Sequence, residues 1–436
     1  MIIARYQVRW IPLLAMRILA LSVVAFFVFI GALVGYSASH REQAVTLPAP
    51  TGPFAVGRTI VDWTDPNRPD PLSQTPGTPR RLQVWIWYPA DPSASSSVAP
   101  YLPTDWTRAI DADLGIGRFF RQDLAAVHSH ARANPPLAGQ VPRFPVVVFD
   151  PGYGYLPANY TTLLENLASH GYVVVGIVPT EMAPVVVFSD GSIVKRSEAG
   201  ALPDDAPPTV LDPMIDRLVN VSSADVRFVL DRLPVADAQS SGQFASRLDL
   251  GRIAIVGHSL GGAAALEVCR TDPRCDAAVD IDGTPVGQSI QSGINRPFLM
   301  LQYGLEANSD EEQKARAVIT HSSGPRFYLA VDGAAHLNGS DDAVLFEPIL
   351  RVAGVLGSID GRRGLDVTNA YLLAFVDQYL PGKSTSLLDG PSPRYPEVTF
   401  LSRQNGVGTA FARSIAHGVL YCAGEGRRHV AGHRGF

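Results

Sequence analysis

Arg252-Ile253-Ala254-Ile255-Val256-Gly257-His258-Ser259-Leu260-Gly261-Gly262-Ala263-Ala264-Ala265-Leu266-Glu267-Val268 is the stretch whose reading decides the fold. Arg252 to Val256 is a short apolar run, the pattern of a buried strand. Gly262 to Val268 is rich in small residues, the pattern of a helix that packs closely. Between them, Gly257-His258-Ser259-Leu260-Gly261 has the form G-x-S-x-G. That form places a serine on a strained turn between a strand and a helix, with glycines where bulkier residues would clash. Three fixed positions recur by chance in a Gly-rich chain, and the ordinary alternative is a plain strand-to-helix turn. The strand and helix on either side give the motif the setting it requires.

Working outward, the same alternation continues. Val146-Val147-Val148-Phe149 and Tyr172 to Val178 read as parallel strands buried on both faces. Asn159 to Ser169 reads as an amphipathic helix between them. Val185 to Phe188 and Ile193-Val194 flank Ser189-Asp190-Gly191-Ser192 as an inserted hairpin. Ser222 and Ser223 are read as caps of a helix over 224–233, with Asp225 in its first turn. Ala277 to Ile281, Pro297 to Gln302 and Arg326 to Val331 are further strands, and Ala370 to Tyr379 is a closing helix. The fold class is α/β, with a mainly parallel central sheet flanked by helices. Upstream, Ala55 to Trp63 and Leu82 to Tyr88 read as antiparallel strands around a Pro-rich loop, and Asp105 to Ala133 as a helical lid or insertion. No internal repeat is apparent.

The N-terminus sets the location. Ile18 to Tyr36 carries no charge and follows Arg5, Arg9 and Arg17. The run suffices to span a bilayer with the arginines on the cytoplasmic side. A signal anchor in the cell membrane, single-pass with the remainder outside, is favoured over a signal cleaved near Ser37 and Ser39 and a secreted product. Three parts follow: an N-terminal anchor at 1–40, a catalytic domain at 41–400, and a disordered tail at 401–436. The net charge of −5 gives no case for nucleic acid. Of the three cysteines, Cys269 and Cys275 flank a short turn, and in an exported chain they suit a small-loop disulfide. Two buried thiols are the alternative, and Cys422 has no evident partner. His417, Cys422, His429 and His433 fit no standard zinc spacing. No metal and no organic cofactor are expected.

A serine hydroxyl needs an imidazole to take its proton, and the imidazole needs a carboxylate. In the G-x-S-x-G folds these partners follow the serine in the order acid, then histidine, at the carboxyl ends of later strands. His336 follows the strand Phe327 to Val331 and sits at that end. His321 precedes it, at the wrong end, and His417, His429 and His433 lie in the tail. For the acid, Asp280 and Asp282 share a face by period-two alternation, so facing does not separate them. Asp282 stands at the strand end and is preferred. Two backbone N–H groups are needed for an oxyanion: Leu260, after the serine, and Tyr153, in the Gly-rich loop Pro151-Gly152-Tyr153-Gly154. Tyr155, Tyr160 and Met182 are read as pocket wall or core.

Pro50 to Gly57, Trp85-Ile86-Trp87-Tyr88-Pro89, Asn166 to Tyr172, Asp225 to Asp231 and Gly257 to Gly262 together resemble a known family. The chain resembles bacterial members of the platelet-activating-factor acetylhydrolase group, among the lipase and dienelactone-hydrolase-like α/β-hydrolases. The resemblance implies an α/β-hydrolase fold and a triad of Ser259, Asp282 and His336. Such enzymes often carry His-Gly-x-Gly at the oxyanion loop; here proline replaces the histidine and the glycines are kept. The expected activity is a serine esterase acting on short or oxidised acyl chains of phospholipids. A general carboxylesterase or polyester hydrolase is the alternative, and an inactive hydrolase-fold binding module is the alternative of another class.

Overall fold

The computed structural model describes residues 10–41, 43–115, 122–203, 206–304, 306, 308–346, 350–351 and 353–404. One ten-stranded sheet organises them. Its long strands are β1 (Ala55–Pro69), β2 (Pro79–Ala90), β3 (Phe144–Asp150), β4 (Val173–Val178), β5 (Leu248–His258), β6 (Ala277–Ile281), β7 (Phe298–Tyr303), β8 (Arg326–Val331) and β9 (Val398–Gln404). The order across the sheet is β9-β8-β7-β6-β5-β3-β4-β2-β1, closed by the two-residue strand Arg132–Ala133. From β8 to β4 all neighbours are parallel. β2 pairs antiparallel with both β4 and β1, and β9 antiparallel with β8. The helices are α1 (Trp10–Arg41), α2 (Thr104–Leu114), α3 (Thr161–Ser169), α4 (Pro208–Ala238), α5 (Leu260–Thr271), α6 (Gln288–Ser292), α7 (Asp310–His321), α8 (Asp342–Leu345) and α9 (Gly361–Tyr379).

Alternation along the parallel strands feeds two cores. Val147 and Phe149 of β3 join one core with Leu163 and Leu167 of α3 and Phe375 of α9. Val146 and Val148 join the other, with Val229 of α4, Leu266 of α5 and Val318 of α7. Helices thus cover both faces, and each buried branched side chain contributes about 1.5–3 kcal/mol. The two-sided cover explains why these strands read as continuous apolar runs.

Several boundaries differ from the sequence reading. The β1–β2 hairpin runs well past Trp63, through Thr64↔Arg81 and Asp65↔Arg80. Its outer pairs are held by ions where the apolar pattern ends: buried Arg80 donates to Asp70 at 2.9 Å and to Asp225 at 2.6 Å. Asp225 therefore serves the hairpin, and it sits in the middle of α4 rather than its first turn. α4 begins at Pro208, so Ser222 and Ser223 are buried inside it and cap nothing. Proline at the first helical position suits a helix start. Pro213 removes the N–H that would reach the carbonyl of Thr209, and Thr209 is an exposed residue.

The helix expected over 105–133 ends at Leu114, where Gly115 takes φ 55°. A 3-10 turn at Leu124–Ala126 and short strands at Val127–His128 and Arg132–Ala133 follow. α9 starts at Gly361, ahead of the expected Ala370. The ordered body passes Leu401, because β9 pairs with β8 as far as Gln404. Residues 405–436, with His417, Cys422, His429 and His433, lie outside the described residues.

The expected hairpin is present as Val185–Val187 paired with Ile193–Lys195. Cys269 and Cys275 are joined in a disulfide, with Cα atoms 5.1 Å apart. It ties the end of α5 to the start of β6. α1 contains Ala15–Ala32, of mean hydropathy 2.3 and not buried in the protein, which is long and apolar enough to cross a membrane.

Candidate active site

The turn between β5 and α5 holds Ser259 at φ 55° and ψ −121°, a conformation that non-glycine residues avoid. Long-range contacts hold it there. The Ser259 N–H donates to the Ile281 carbonyl at 2.8 Å, tying the turn to the end of β6. A Cβ on Gly261 would strike the Asp150 carbonyl, and one on Gly262 would strike the Asp280 carboxyl. The small residues of the motif let the helix descend onto β3 and β6.

Ser259, His336 and Asp282 are hydrogen-bonded in series. His336 Nε2 lies 3.0 Å from Ser259 Oγ, and His336 Nδ1 lies 2.7 Å from Asp282 Oδ2. The Tyr303 N–H donates to the other carboxylate oxygen, Asp282 Oδ1, at 2.6 Å. Asp282 has a side-chain exposure of 10% and His336 of 47%, so the imidazole faces the cleft while its acid is sheltered.

Asp280 is elsewhere. Period-two alternation does not relate the two aspartates, because β6 ends at Ile281 and Asp282 turns away at φ 50°. Asp280 stays in the strand, fully buried against α5, and accepts the Gly283 N–H at 2.8 Å. Burial drives its pKa well above the usual carboxylate range, with Asp282 adding to the rise. Buried under the Ser259 elbow and bonded to Gly283, Asp280 is a structural bracket rather than a partner for His336.

His336 sits on a 3-10 turn, His336–Gly339, after β8. Asn338 shapes the loop: its Oδ1 accepts the N–H groups of Ala335 at 2.8 Å and Gly357 at 2.9 Å. His321 is at the far end of α7, bonded through Nδ1 to the Ile290 carbonyl. Neither the Leu260 N–H nor the Tyr153 N–H has an acceptor among the described residues. Both residues line a cleft of ≈ 520 Å³ that also holds Ser259, His336 and Asp282. A larger hollow of ≈ 890 Å³ against α9 contains none of them.

The cleft wall includes residues that the sequence reading passed over. Ile215 and Val219 come from the first half of α4, and Leu202 from the segment before it. Pro207-Pro208 followed by apolar residues at 211, 215, 218 and 219 was the available signal for that half-helix. Tyr153 contributes its ring as well, and its Oη accepts the Leu202 N–H at 2.8 Å. The hydrogen-bonding roles of Tyr160 and His258 were also missed; Tyr160 is buried as expected, yet its hydroxyl lies 2.9 Å from His258 Nδ1.

The chain matches the family model described as platelet-activating factor acetylhydrolase, isoform II, over residues 39–178 and 222–386. A probable 1-alkyl-2-acetylglycerophosphocholine esterase of Arthroderma benhamiae is 27% identical, over 84% of this chain and 96% of that protein. A platelet-activating factor acetylhydrolase of Cavia porcellus is 25% identical, over 84% of this chain and 86% of that protein. Among solved structures, a ferulic acid esterase from Streptomyces cinnamoneus superposes with a TM-score of 0.70 at 33% identity, over 83% of this chain and 100% of that one. The chain is a carboxylic-ester hydrolase of the α/β-hydrolase type, and it belongs to the platelet-activating factor acetylhydrolase isoform II family.

Proposed function

We propose that Ser259 is the nucleophile of this esterase, with His336 as its base and Asp282 as the acid that holds the base. His336 Nε2, at 3.0 Å, is in reach of the Ser259 proton. As Oγ attacks an ester carbonyl, that proton passes to Nε2, and Asp282 Oδ2 stabilises the imidazolium through Nδ1–H. The carbonyl oxygen becomes an oxyanion that receives the N–H groups of Leu260 and Tyr153. Donors already aimed at the developing charge cost no reorganisation when it forms. His336 then protonates the departing alcohol, and a water activated by the same imidazole clears the acyl-enzyme. Protein groups and water carry every step.

The single observation that carries this reading is the unbroken series Ser259–His336–Asp282. It speaks against an inactive binding module, which would have no need of an aligned imidazole. The substrate proposed is a phospholipid with a short or oxidised acyl chain, in keeping with what the Arthroderma and Cavia proteins are named for. A broader carboxylesterase or polyester hydrolase is the second reading. Its support is a 25% identical match over 192 residues to a cutinase of Thermobifida cellulosilytica, together with the ferulic acid esterase fold. The apolar α1 is proposed as a signal anchor that leaves the catalytic domain, through β9, outside the cell membrane.

Fluorophosphonate labelling tests the enzyme reading: the intact protein should label and Ser259→Ala should not. A protein that ignores the reagent, or labels equally after the substitution, refutes it. An acetylated ether phospholipid compared with a chain-length series of simple esters decides between the two substrate readings. Preference for long or aromatic acyl esters favours the second.

A further inference from the structure

His258 is the variable residue of G-x-S-x-G, and it is only 1% exposed. Its two ring nitrogens are both engaged. Nε2 lies 2.9 Å from the backbone carbonyl of His336. Nδ1 lies 2.9 Å from Tyr160 Oη, and Tyr160 Oη also accepts the Gly152 N–H at 3.2 Å.

The direction of every bond follows from the ends. A carbonyl only accepts, so His258 Nε2 carries a hydrogen and donates it to His336. Burial, and then the nearby His336 ring, hold the His258 pKa well below the imidazole range, so the ring is neutral and Nδ1 accepts. Tyr160 must therefore donate its hydroxyl hydrogen, which leaves its lone pairs for Gly152. The chain reads Gly152 N–H to Tyr160, Tyr160 O–H to His258, His258 N–H to His336. It has one polarity and no frustrated member.

Its two ends matter. Gly152 immediately precedes Tyr153, whose N–H has no acceptor among the described residues and which lines the cleft. The other end is the backbone of His336 itself. A second bond laces the same two segments, from the Asp341 N–H to the Asn159 carbonyl at 2.7 Å. Packing agrees: a Cβ on Gly152 or on Gly339 would crowd the His258 ring.

We propose that His258 and Tyr160 are positioning residues that couple the oxyanion loop at Gly152–Tyr153 to the backbone of His336, fixing both relative to Ser259. The inference rests on the serine-esterase reading. Neither side chain touches substrate; each acts through the groups it holds.

The test uses the intact protein with a soluble short-chain ester, and compares Tyr160→Phe, His258→Phe, their double variant and His258→Gln. Tyr160→Phe and His258→Phe should each lower kcat about ten-fold with KM within about two-fold, since small misplacements act on the transition state. The double variant should lose no more than the worse single one, because one chain can be cut only once. His258→Gln, which restores an N–H donor, should recover part of the loss. Losses that multiply in the double variant, or a raised KM with intact kcat, overturn the proposal. Should His258→Phe fail to fold, Tyr160→Phe alone decides, as it deletes a single oxygen. Fluorophosphonate labelling separates the two readings. A wild-type protein that does not label overturns the esterase reading and this proposal with it. Wild type and Tyr160→Phe labelling at equal rates overturn this proposal alone.

Discussion

At the elbow, Ser259 is placed mainly by what its neighbours lack: side chains on Gly261 and Gly262 would collide with β3 and β6. At the loop after β8, His336 is placed by what distant residues supply. Asn338 folds the loop onto Gly357, Asp282 holds Nδ1, and His258 holds the backbone carbonyl. One region is a local motif locked by close backbone approach. The other is a flexible connection made rigid by long-range hydrogen bonds. The elbow should therefore respond to substitution in an all-or-none way, and the His336 loop in graded steps.

The sharpest break of that comparison is at the elbow itself. Ser259→Ala should abolish ester turnover, by up to roughly 10⁶-fold in kcat, with the fold intact by thermal melting. A residual rate close to wild type would move the nucleophile elsewhere. Next comes the pair of aspartates. Asp282→Asn should lower kcat by about 10⁴-fold, because an amide presents the wrong partner to Nδ1. Asp280→Asn should stay within about ten-fold, since an acid that meets the Gly283 N–H rather than His336 is replaced by a near-isostere. The reverse ranking in steady-state kinetics would exchange their roles.

Within the His336 loop, Asn338→Ala strands two backbone N–H groups. A cost of about 1–3 kcal/mol for each is expected, with kcat falling and KM little changed. Unaltered denaturation and kinetics would show that the loop needs no such clamp. A subtler effect is pH dependence. The unfolded chain binds a proton at His258 near pH 6.5, whereas the native chain holds that ring neutral. His258 thus costs nothing above about pH 6.5, and stability falls by up to about 1.4 kcal/mol per unit as pH drops below it. Urea midpoints at two pH values should show this slope, and it should shrink in His258→Phe. The smallest expected effect on activity lies behind the elbow. Opening the Cys269–Cys275 bridge by Cys275→Ser should cost about 2 kcal/mol, as befits a short loop, with activity retained. Loss of activity there would tie elbow geometry to the disulfide.

The legible parts of the site were those with short-range causes. The strand before Ser259, the helix after it and the strand-end placement of His336 all follow from patterns a few residues wide. Period-two alternation equates Asp282 with Asp280, and only its place at the strand end favours Asp282 in the sequence. Only the left-handed turn at Asp282 separates them. The helix over 105–133 failed at Gly115, where the chain reverses its φ. The cap assigned to Ser222 and Ser223 failed because α4 is long and its core-facing polar residues, Asp225 above all, answer to Arg80 on another element.

The sequence alone determined the periodicity and the elbow, because those are properties of neighbouring residues. The tertiary structure decided which aspartate meets His336, which half-helix walls the cleft, and that His258 and Tyr160 join two loops. Those outcomes depend on groups far apart in the chain, whose pairing is chosen by packing and by the need of every buried donor for an acceptor.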